Sequence, residues 1–103
     1  MRVTVLVSSR PRWALDVVTS WARDGDSVTV VLLAGASGAA RPGHPAAETL
    51  AAAQSAGVVI TAHDEALHRR ALGSGVLVEG IKPIDLDEMA DLVTSGADKA
   101  VWW

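Results

Sequence analysis

The chain has 103 residues, half of them hydrophobic, and 12 acidic against 9 basic residues give it a formal net charge of −3. This length fits one domain with one core. No basic stripe typical of a nucleic-acid-binding protein is present, so no direct nucleic-acid partner is expected. The sequence has no cysteine, which excludes disulfides, thiolate zinc sites and persulfide chemistry on a thiol of this chain.

The sequence of the first third of the chain predicts a strand, a helix and a second strand. Arg2–Val7 is rich in β-branched residues and apolar on both faces, as in a buried parallel strand. Pro11 suits the first turn of a helix, and Gly25 is its predicted stop. Residues 28–33 are a second continuous apolar run. The helix carries one apolar stripe, formed by Ala14, Val17, Val18 and Trp21.

The middle of the chain predicts a loop, a helix, a third strand and another helix. Residues 35–45 form the one long glycine-rich loop, and a helix begins near Pro45 and ends at Gly57. Residues 58–60 are the third predicted strand. Thr61 and Asp64 have the spacing of a capping box for a helix that runs to about residue 72, where Gly73 would stop it.

The last quarter predicts a short strand, a helix and a terminal strand. Residues 76–78 are the fourth predicted strand, and residues 99–103 form the fifth, near an edge of the sheet. Asp85 and Glu88 open the last helix, which ends at Gly96. We expect its inward-facing residues to be Leu86, Met89 and Val93.

Strict alternation of strands and helices predicts a parallel sheet covered on both faces. The fold class is therefore α/β, a three-layer α/β/α arrangement with a five-stranded parallel sheet, in one domain that spans residues 1–103. The longest apolar run, residues 28–34, is far shorter than the roughly 20 residues that cross a bilayer, so no membrane partner is expected. Without a signal-peptide pattern after Met1, the expected location is the cytoplasm.

Ligands of open parallel sheets bind beyond the carboxyl ends of the strands. Those ends are predicted to carry Ser8, the glycine-rich loop 35–43, and a set of possible anion- or partner-binding residues: Ser9, Arg10, His63, Asp64 and Lys82. The glycine-rich loop has two interpretations. In the first, its backbone N–H groups bind a phosphate. In the second, it is a plain flexible loop, and we expect this one because the segment matches neither GxGxxG nor a Walker A sequence.

His63 follows the third strand and precedes Asp64. That corner suits a general base or a ligand, although a histidine there is more often a capping or solvent-exposed group. His44 and His68 do not stand at a spacing that makes a metal site with it, and no Ser–His–Asp set can be recognised. The sequence therefore predicts no catalytic residue, no metal and no cofactor.

The chain ends on two tryptophans, Trp102 and Trp103. On a strand, consecutive side chains point to opposite faces of the sheet. One indole can enter the core, and the other becomes a possible anchor for a partner, since tryptophan is a frequent hot-spot residue. The alternative is that both indoles pack beneath neighbouring helices.

Several segments together resemble the DsrE/DsrF/DsrH sulfur-relay superfamily, and most closely its DsrH/TusB-like branch. The resemblance covers nearly the whole chain. It rests on Ser9-Arg10-Pro11, Gly25-Asp26, residues 58–72, residues 84–88 and a final strand that closes on tryptophan.

This resemblance implies a non-catalytic subunit of a cytoplasmic sulfur-relay complex. DsrE- and TusD-like members carry a persulfide on a cysteine at the position occupied here by His63, and the TusB-like branch generally lacks that cysteine. The implied partners are cysteine-bearing DsrE/DsrF-like (TusC/TusD-like) subunits, or further copies of this chain. The implied pathway is tRNA wobble-uridine thiolation or sulfur oxidation, and His63 and Arg70 would stabilise a partner's sulfur anion. The alternative function is a small-molecule, anion or nucleotide-binding α/β domain that acts at the carboxyl ends of its strands.

Overall fold

A computed structural model of the chain describes residues 1–72 and 76–103. Its strands are β1 (Arg2–Val7), β2 (Ser27–Leu32), β3 (Val59–His63), β4 (Lys82–Ile84) and β5 (Lys99–Trp102). Its helices are α1 (Pro11–Arg23), α2 (Ala47–Ser55), α3 (Asp64–Arg69) and α4 (Leu86–Thr94), and a 3₁₀ helix covers Ala34–Ala40. The predicted fold class, a five-stranded parallel sheet flanked by helices, is confirmed.

The sheet has the strand order β4-β3-β2-β1-β5, and every strand pair is parallel. The chain steps outwards from β1 to β4 through α1, α2 and α3, and then returns across the sheet through α4 to β5. Right-handed crossovers therefore place α1, α2 and α3 on one face, and α4 on the other. We call these the α1 face and the α4 face. The prediction that the last strand lies at an edge is confirmed.

The main core lies on the α1 face. Alternate residues of the central strands point towards α1 and are buried against it. This cluster includes Val3, Val5, Val7, Val28, Val30, Leu32, Ile60, Ala14, Leu15 and Val18. Gly25 closes the loop after α1 at a φ of 104°, a value that glycine adopts readily, so the predicted stop at this residue is confirmed.

The α4 face is covered by a single helix of nine residues. Met89 packs there against Val31 and Ile84. The hydroxyl of Thr4 donates a hydrogen bond of 3.1 Å to the carbonyl of Leu92, which fixes α4 to the sheet. One short helix leaves apolar side chains of this face in contact with solvent, and Val59 is 55% exposed.

The glycine-rich loop is more ordered than the sequence predicts. Its first half is the 3₁₀ helix, in which Ala36, Ser37, Ala39 and Ala40 are buried. The Ser37 hydroxyl donates a 2.6 Å hydrogen bond to the carbonyl of Ala34. Small side chains allow this segment to pack closely against its neighbours, so the prediction of a plain flexible loop is wrong for residues 34–40.

The predicted fourth strand is misplaced. Residues 76–78 precede the strand, and the Val78 N–H donates a 2.8 Å hydrogen bond to the carbonyl of Ala40. The strand itself is Lys82–Ile84. Pro83 has no N–H and masks the strand pattern in the sequence, but it is tolerated because β4 lies at an edge.

The predicted capping box at Thr61 is also wrong. β3 extends to His63, so Thr61 lies inside the strand, and its hydroxyl donates a 2.8 Å hydrogen bond to the carbonyl of Val30. His63 occupies the N-cap position of α3 without a side-chain capping bond, and α3 ends at Arg69 rather than near residue 72. Gly73, the predicted stop, lies outside the described residues.

The last helix begins as predicted. Asp85 is its N-cap and forms a complete capping box with Glu88. Met89 is buried, as expected, and Val93 is half-buried, but Leu86 is 68% exposed. Met89 and Leu92 pack against the sheet, and Leu86, the first residue of the helix, faces solvent.

Candidate functional site

The carboxyl edge of the sheet holds most of the residues predicted as a site. Ser9 and Arg10 follow β1, and Arg10 has a left-handed backbone with a φ of 49°. The guanidinium carbon of Arg10 lies 5.0 Å from the centroid of the Trp13 ring. Arg10 therefore makes a cation–π contact with α1 of its own chain.

His63 is the last residue of β3 and lies on the α4 face, since it alternates with the inward-facing Ala62. Its side chain is 21% exposed, and its Nε2 lies 4.0 Å from Oδ1 of Asp64. That distance is too long for a hydrogen bond but close enough for charge attraction when the imidazole is protonated. His63 and Asp64 are therefore brought together, with the imidazole accessible.

The other predicted residues are spread over the fold. β2 lies between β1 and β3, so the strand that precedes Arg10 and the strand that ends at His63 are two strand spacings apart, about 10 Å. Arg70 stands at the opposite end of α3 from His63, again about 10 Å away along the helix. Its Nη1 donates a 3.4 Å hydrogen bond to the carbonyl of Ala66.

Lys82 is not at the carboxyl edge. It is the first residue of β4 and pairs with Thr61, in the middle of β3. Its ammonium lies 3.4 Å from Oε2 of Glu88 on α4. The expectation that Lys82 joins the carboxyl rim depended on the misplaced fourth strand and is wrong.

The glycine-rich loop does not form an evident phosphate cradle. Its first half is turned inwards and packed, and only Gly43 of its glycines has a positive φ, 79°. Two cavities among the described residues, one beside α4 and one on α1, contain none of residues 35–43, Ser9, Arg10 and His63 in their linings. Residues 1–72 and 76–103 also contain no cluster of three His, Asp or Glu side chains placed to hold a metal ion.

The two terminal tryptophans lie on opposite faces of the sheet, as strand alternation predicts. Trp103 packs on the α1 face against Trp13 and Trp21, with ring centroids 4.8 Å and 5.4 Å away. Trp102 lies on the α4 face beside its strand partner Leu6 and is 72% exposed. An exposed indole at a sheet edge is a surface suited to a partner.

A groove beside α4 is the feature that the sequence reasoning missed. Its volume is about 410 Å³. We call it the α4 groove, and it is lined by Thr29, Val59, Thr61, Lys82, Ile84, Glu88, Asp91, Leu92, Ser95 and Gly96. These residues come from β2, β3, β4 and α4, and from the turn that follows α4. The available signal was that Val59 and Thr61 share a face that a single short helix must cover.

Several solved structures share this fold, among them those of three bacterial and archaeal proteins. No family model matches the chain, and neither does any curated protein. The ychN protein from E. coli is 18% identical with a TM-score of 0.79, over 100% of both chains. MTH1491 of Methanobacterium thermoautotrophicum, a protein of unknown function, is 15% identical with a TM-score of 0.78 over 97% of both chains. BT1422 of Bacteroides thetaiotaomicron, a conserved protein of unknown function, is 10% identical with a TM-score of 0.73, over 99% of this chain and 94% of that one.

The TM-scores of these three structures establish a shared fold, and their low sequence identities establish nothing finer. No helix within the described residues is long and apolar enough to span a membrane. The matches run over the full length of the chain, consistent with a single α/β unit. They show the fold of this chain, and they give no support to the DsrH/TusB-like branch in particular.

Proposed function

We propose that this chain is a non-catalytic subunit of a sulfur-relay complex, in which a partner carries the reactive thiol. The observation that supports this proposal is a DsrE-like fold with His63 at the β3–α3 corner, where the resemblance places the cysteine of catalytic members. A persulfide relay needs a thiol that accepts sulfur and passes it on. A chain without cysteine serves such a relay by binding and shaping, not by carrying sulfur.

The role that we assign to His63 is to stabilise the sulfur anion of a partner. A protonated imidazole next to a thiolate or persulfide favours the ionised form, which is the nucleophile. His63 is accessible enough for this contact, since 21% of its side chain is exposed. Arg70 lies at the far end of α3, where its Nη1 donates a hydrogen bond to the carbonyl of Ala66, so we assign this role to His63 alone.

The proposed partner is a cysteine-bearing DsrE/DsrF-like subunit. The complex would pass sulfur towards wobble-uridine thiolation of tRNA, or towards cytoplasmic sulfur oxidation. In either pathway the tRNA or sulfur substrate meets the partner's thiol, and this chain contributes contact surface.

The test is a sulfur-transfer assay on the reconstituted complex of this chain with its cysteine-bearing partner. Omitting this chain should abolish or strongly slow transfer. His63→Ala should slow transfer about tenfold, the effect of a shift of about one unit in a thiol pKa. His68→Ala, at an exposed position of the neighbouring helix, is the matched control and should leave the rate unchanged.

Two results would count against this account. If transfer runs equally well without this chain, the subunit role is wrong. If transfer needs the chain but His63→Ala behaves like His68→Ala, the chain acts through assembly and the role of His63 is wrong.

A further inference from the structure

The two edges of the sheet carry complementary features on the same face. At the β5 edge, Trp102 projects from the α4 face and is 72% exposed. At the β4 edge, the α4 groove opens on that same face, with Lys82 at its rim. One edge therefore presents a large aromatic side chain, and the other presents a cavity.

The α4 groove has the chemistry that an indole requires. Val59, Ile84 and Leu92 give it apolar walls, and Val59 is 55% exposed without a partner. Asp91 and Glu88 provide carboxylate oxygens that can accept the indole N–H. A volume of about 410 Å³ lies within the range of cavities that hold small ligands, which leaves room for one indole.

The register of the sheet places these features at the same height. Trp102 pairs with Leu6, which pairs with Val31, which pairs in turn with Thr61. Thr61 pairs with Lys82. These five residues form one row across the α4 face, so an edge-to-edge neighbour would bring Trp102 to the level of Thr61 and Lys82, both of which line the groove.

We propose that Trp102 of one copy of this chain docks in the α4 groove of a second copy, with the β5 edge beside the β4 edge. The indole packs on Val59, and the ammonium of Lys82 lies near the face of the ring in a cation–π contact. β4 has only three residues and contains Pro83, so side chains rather than an extended hydrogen-bond ladder carry the contact. The contact is heterologous, because each copy offers a different surface to each neighbour.

Sedimentation of the purified chain alone over a concentration series tests this contact. The wild-type chain should self-associate reversibly. Trp102→Ala should raise the dissociation constant about thirtyfold, as expected for a hot-spot tryptophan. Val59→Arg fills the groove at a half-exposed position and should raise the dissociation constant to a similar extent. Lys82→Glu, at an exposed position of the groove, should raise it as well. Leu86→Ala removes an equally exposed side chain that does not line the groove and should leave association unchanged.

Mixing the two defective variants gives the decisive result. Trp102→Ala keeps an intact groove and Val59→Arg keeps an intact anchor, so an equimolar mixture should form a 1:1 dimer that grows no further. A mixture that stays monomeric, or a wild-type chain that is monomeric at its solubility limit, overturns the proposal. If the wild type is monomeric alone but Val59→Arg abolishes binding of the sulfur-relay partner, the groove belongs to that partner, and the self-contact is wrong. The measurement needs no relay partner, so its failure leaves the proposed function standing.

Discussion

The indole of Trp103 packs against the indole of Trp13, with their ring centroids 4.8 Å apart and their planes at 59°. Trp21 of the same helix lies 5.4 Å from Trp103 on another side. The carbonyl of Trp103 accepts hydrogen bonds of 2.7 Å from both the N–H and the hydroxyl of Ser8. The last strand is therefore held to the α1 face by aromatic packing, and to the end of β1 by hydrogen bonds.

Trp103→Ala should destabilise the fold by about 3 kcal/mol, since the substitution removes a large packed aromatic side chain and leaves a cavity next to α1. Trp102→Ala, one residue earlier, removes a mostly exposed side chain and should cost less than about 0.5 kcal/mol at concentrations where the chain is monomeric. Chemical denaturation of both variants measures the difference. Equal losses would contradict the assignment of the two indoles to opposite faces.

Asp98 predicts a specific dependence of stability on pH. The backbone N–H of Arg2 donates a 2.9 Å hydrogen bond to its Oδ2, and the Arg2 guanidinium lies 3.5 Å from Oδ1. These contacts hold the pKa of Asp98 below its ordinary value of 3.8. The pKa of Asp98 is lower in the folded chain than in the unfolded chain. The contribution of Asp98 to the free energy of unfolding is therefore fully present above the unfolded pKa, and it is lost as the pH falls through the folded pKa.

Asp98→Asn should therefore be less stable than the wild type at neutral pH, and the difference should shrink as the solution is acidified below about pH 4. Urea denaturation of both proteins across this range measures the effect. Asp16→Asn removes the same charge from an exposed position of α1 and controls for the change in net charge. A difference between wild type and Asp98→Asn that stays constant down to low pH would refute the prediction.

The start of α4 depends on the Asp85 side chain. Its Oδ1 accepts a 2.8 Å hydrogen bond from the Glu88 N–H, and the Glu88 carboxylate accepts one from the Asp85 N–H at 3.3 Å. Asp85→Ala should cost about 1 kcal/mol. Asp87→Ala, an exposed acid in the same turn, should cost clearly less, and thermal unfolding of the pair checks the prediction.

A substitution at Gly80 tests the conformation of the turn that leads into β4. Its φ is 90°, and an added Cβ would lie 2.9 Å from Nε2 of Gln54, which donates a hydrogen bond to the carbonyl of Glu79. Gly80→Ala should destabilise the fold by about 1 to 2 kcal/mol. Gly38→Ala, where an added Cβ meets nothing within 4 Å, should change stability by less than about 0.5 kcal/mol. If both substitutions are neutral, the described turn before β4 is wrong.

The sequence was sufficient for elements whose pattern is local. β1 and β2 are continuous apolar runs, and Asp85 with Glu88 marks the start of α4. β4 was missed because Lys82-Pro83-Ile84 has no strand pattern of its own, and only pairing with β3 makes it a strand. The 3₁₀ helix was missed because its alanines and glycines fit a loop equally well until tertiary packing buries them.

The part of the candidate site that depends on local sequence was also predictable. The position of His63 at a strand-to-helix corner follows from local sequence, and the structure places it there. The position of Lys82 depends on the pairing of β4 with β3, in which Lys82 lies opposite Thr61, about 20 residues earlier in the chain. The groove beside α4 likewise needs β2 and β3 to lie next to α4. Periodicity along one chain segment carries no information about such contacts.

Native mass spectrometry of this chain, co-expressed with its genomic neighbours, tests the central claim most directly. The proposed function predicts a mixed complex that contains a cysteine-bearing DsrE-like subunit. Recovery of this chain without any cysteine-bearing relative, whether as a monomer or as a homo-oligomer, would contradict the sulfur-relay account.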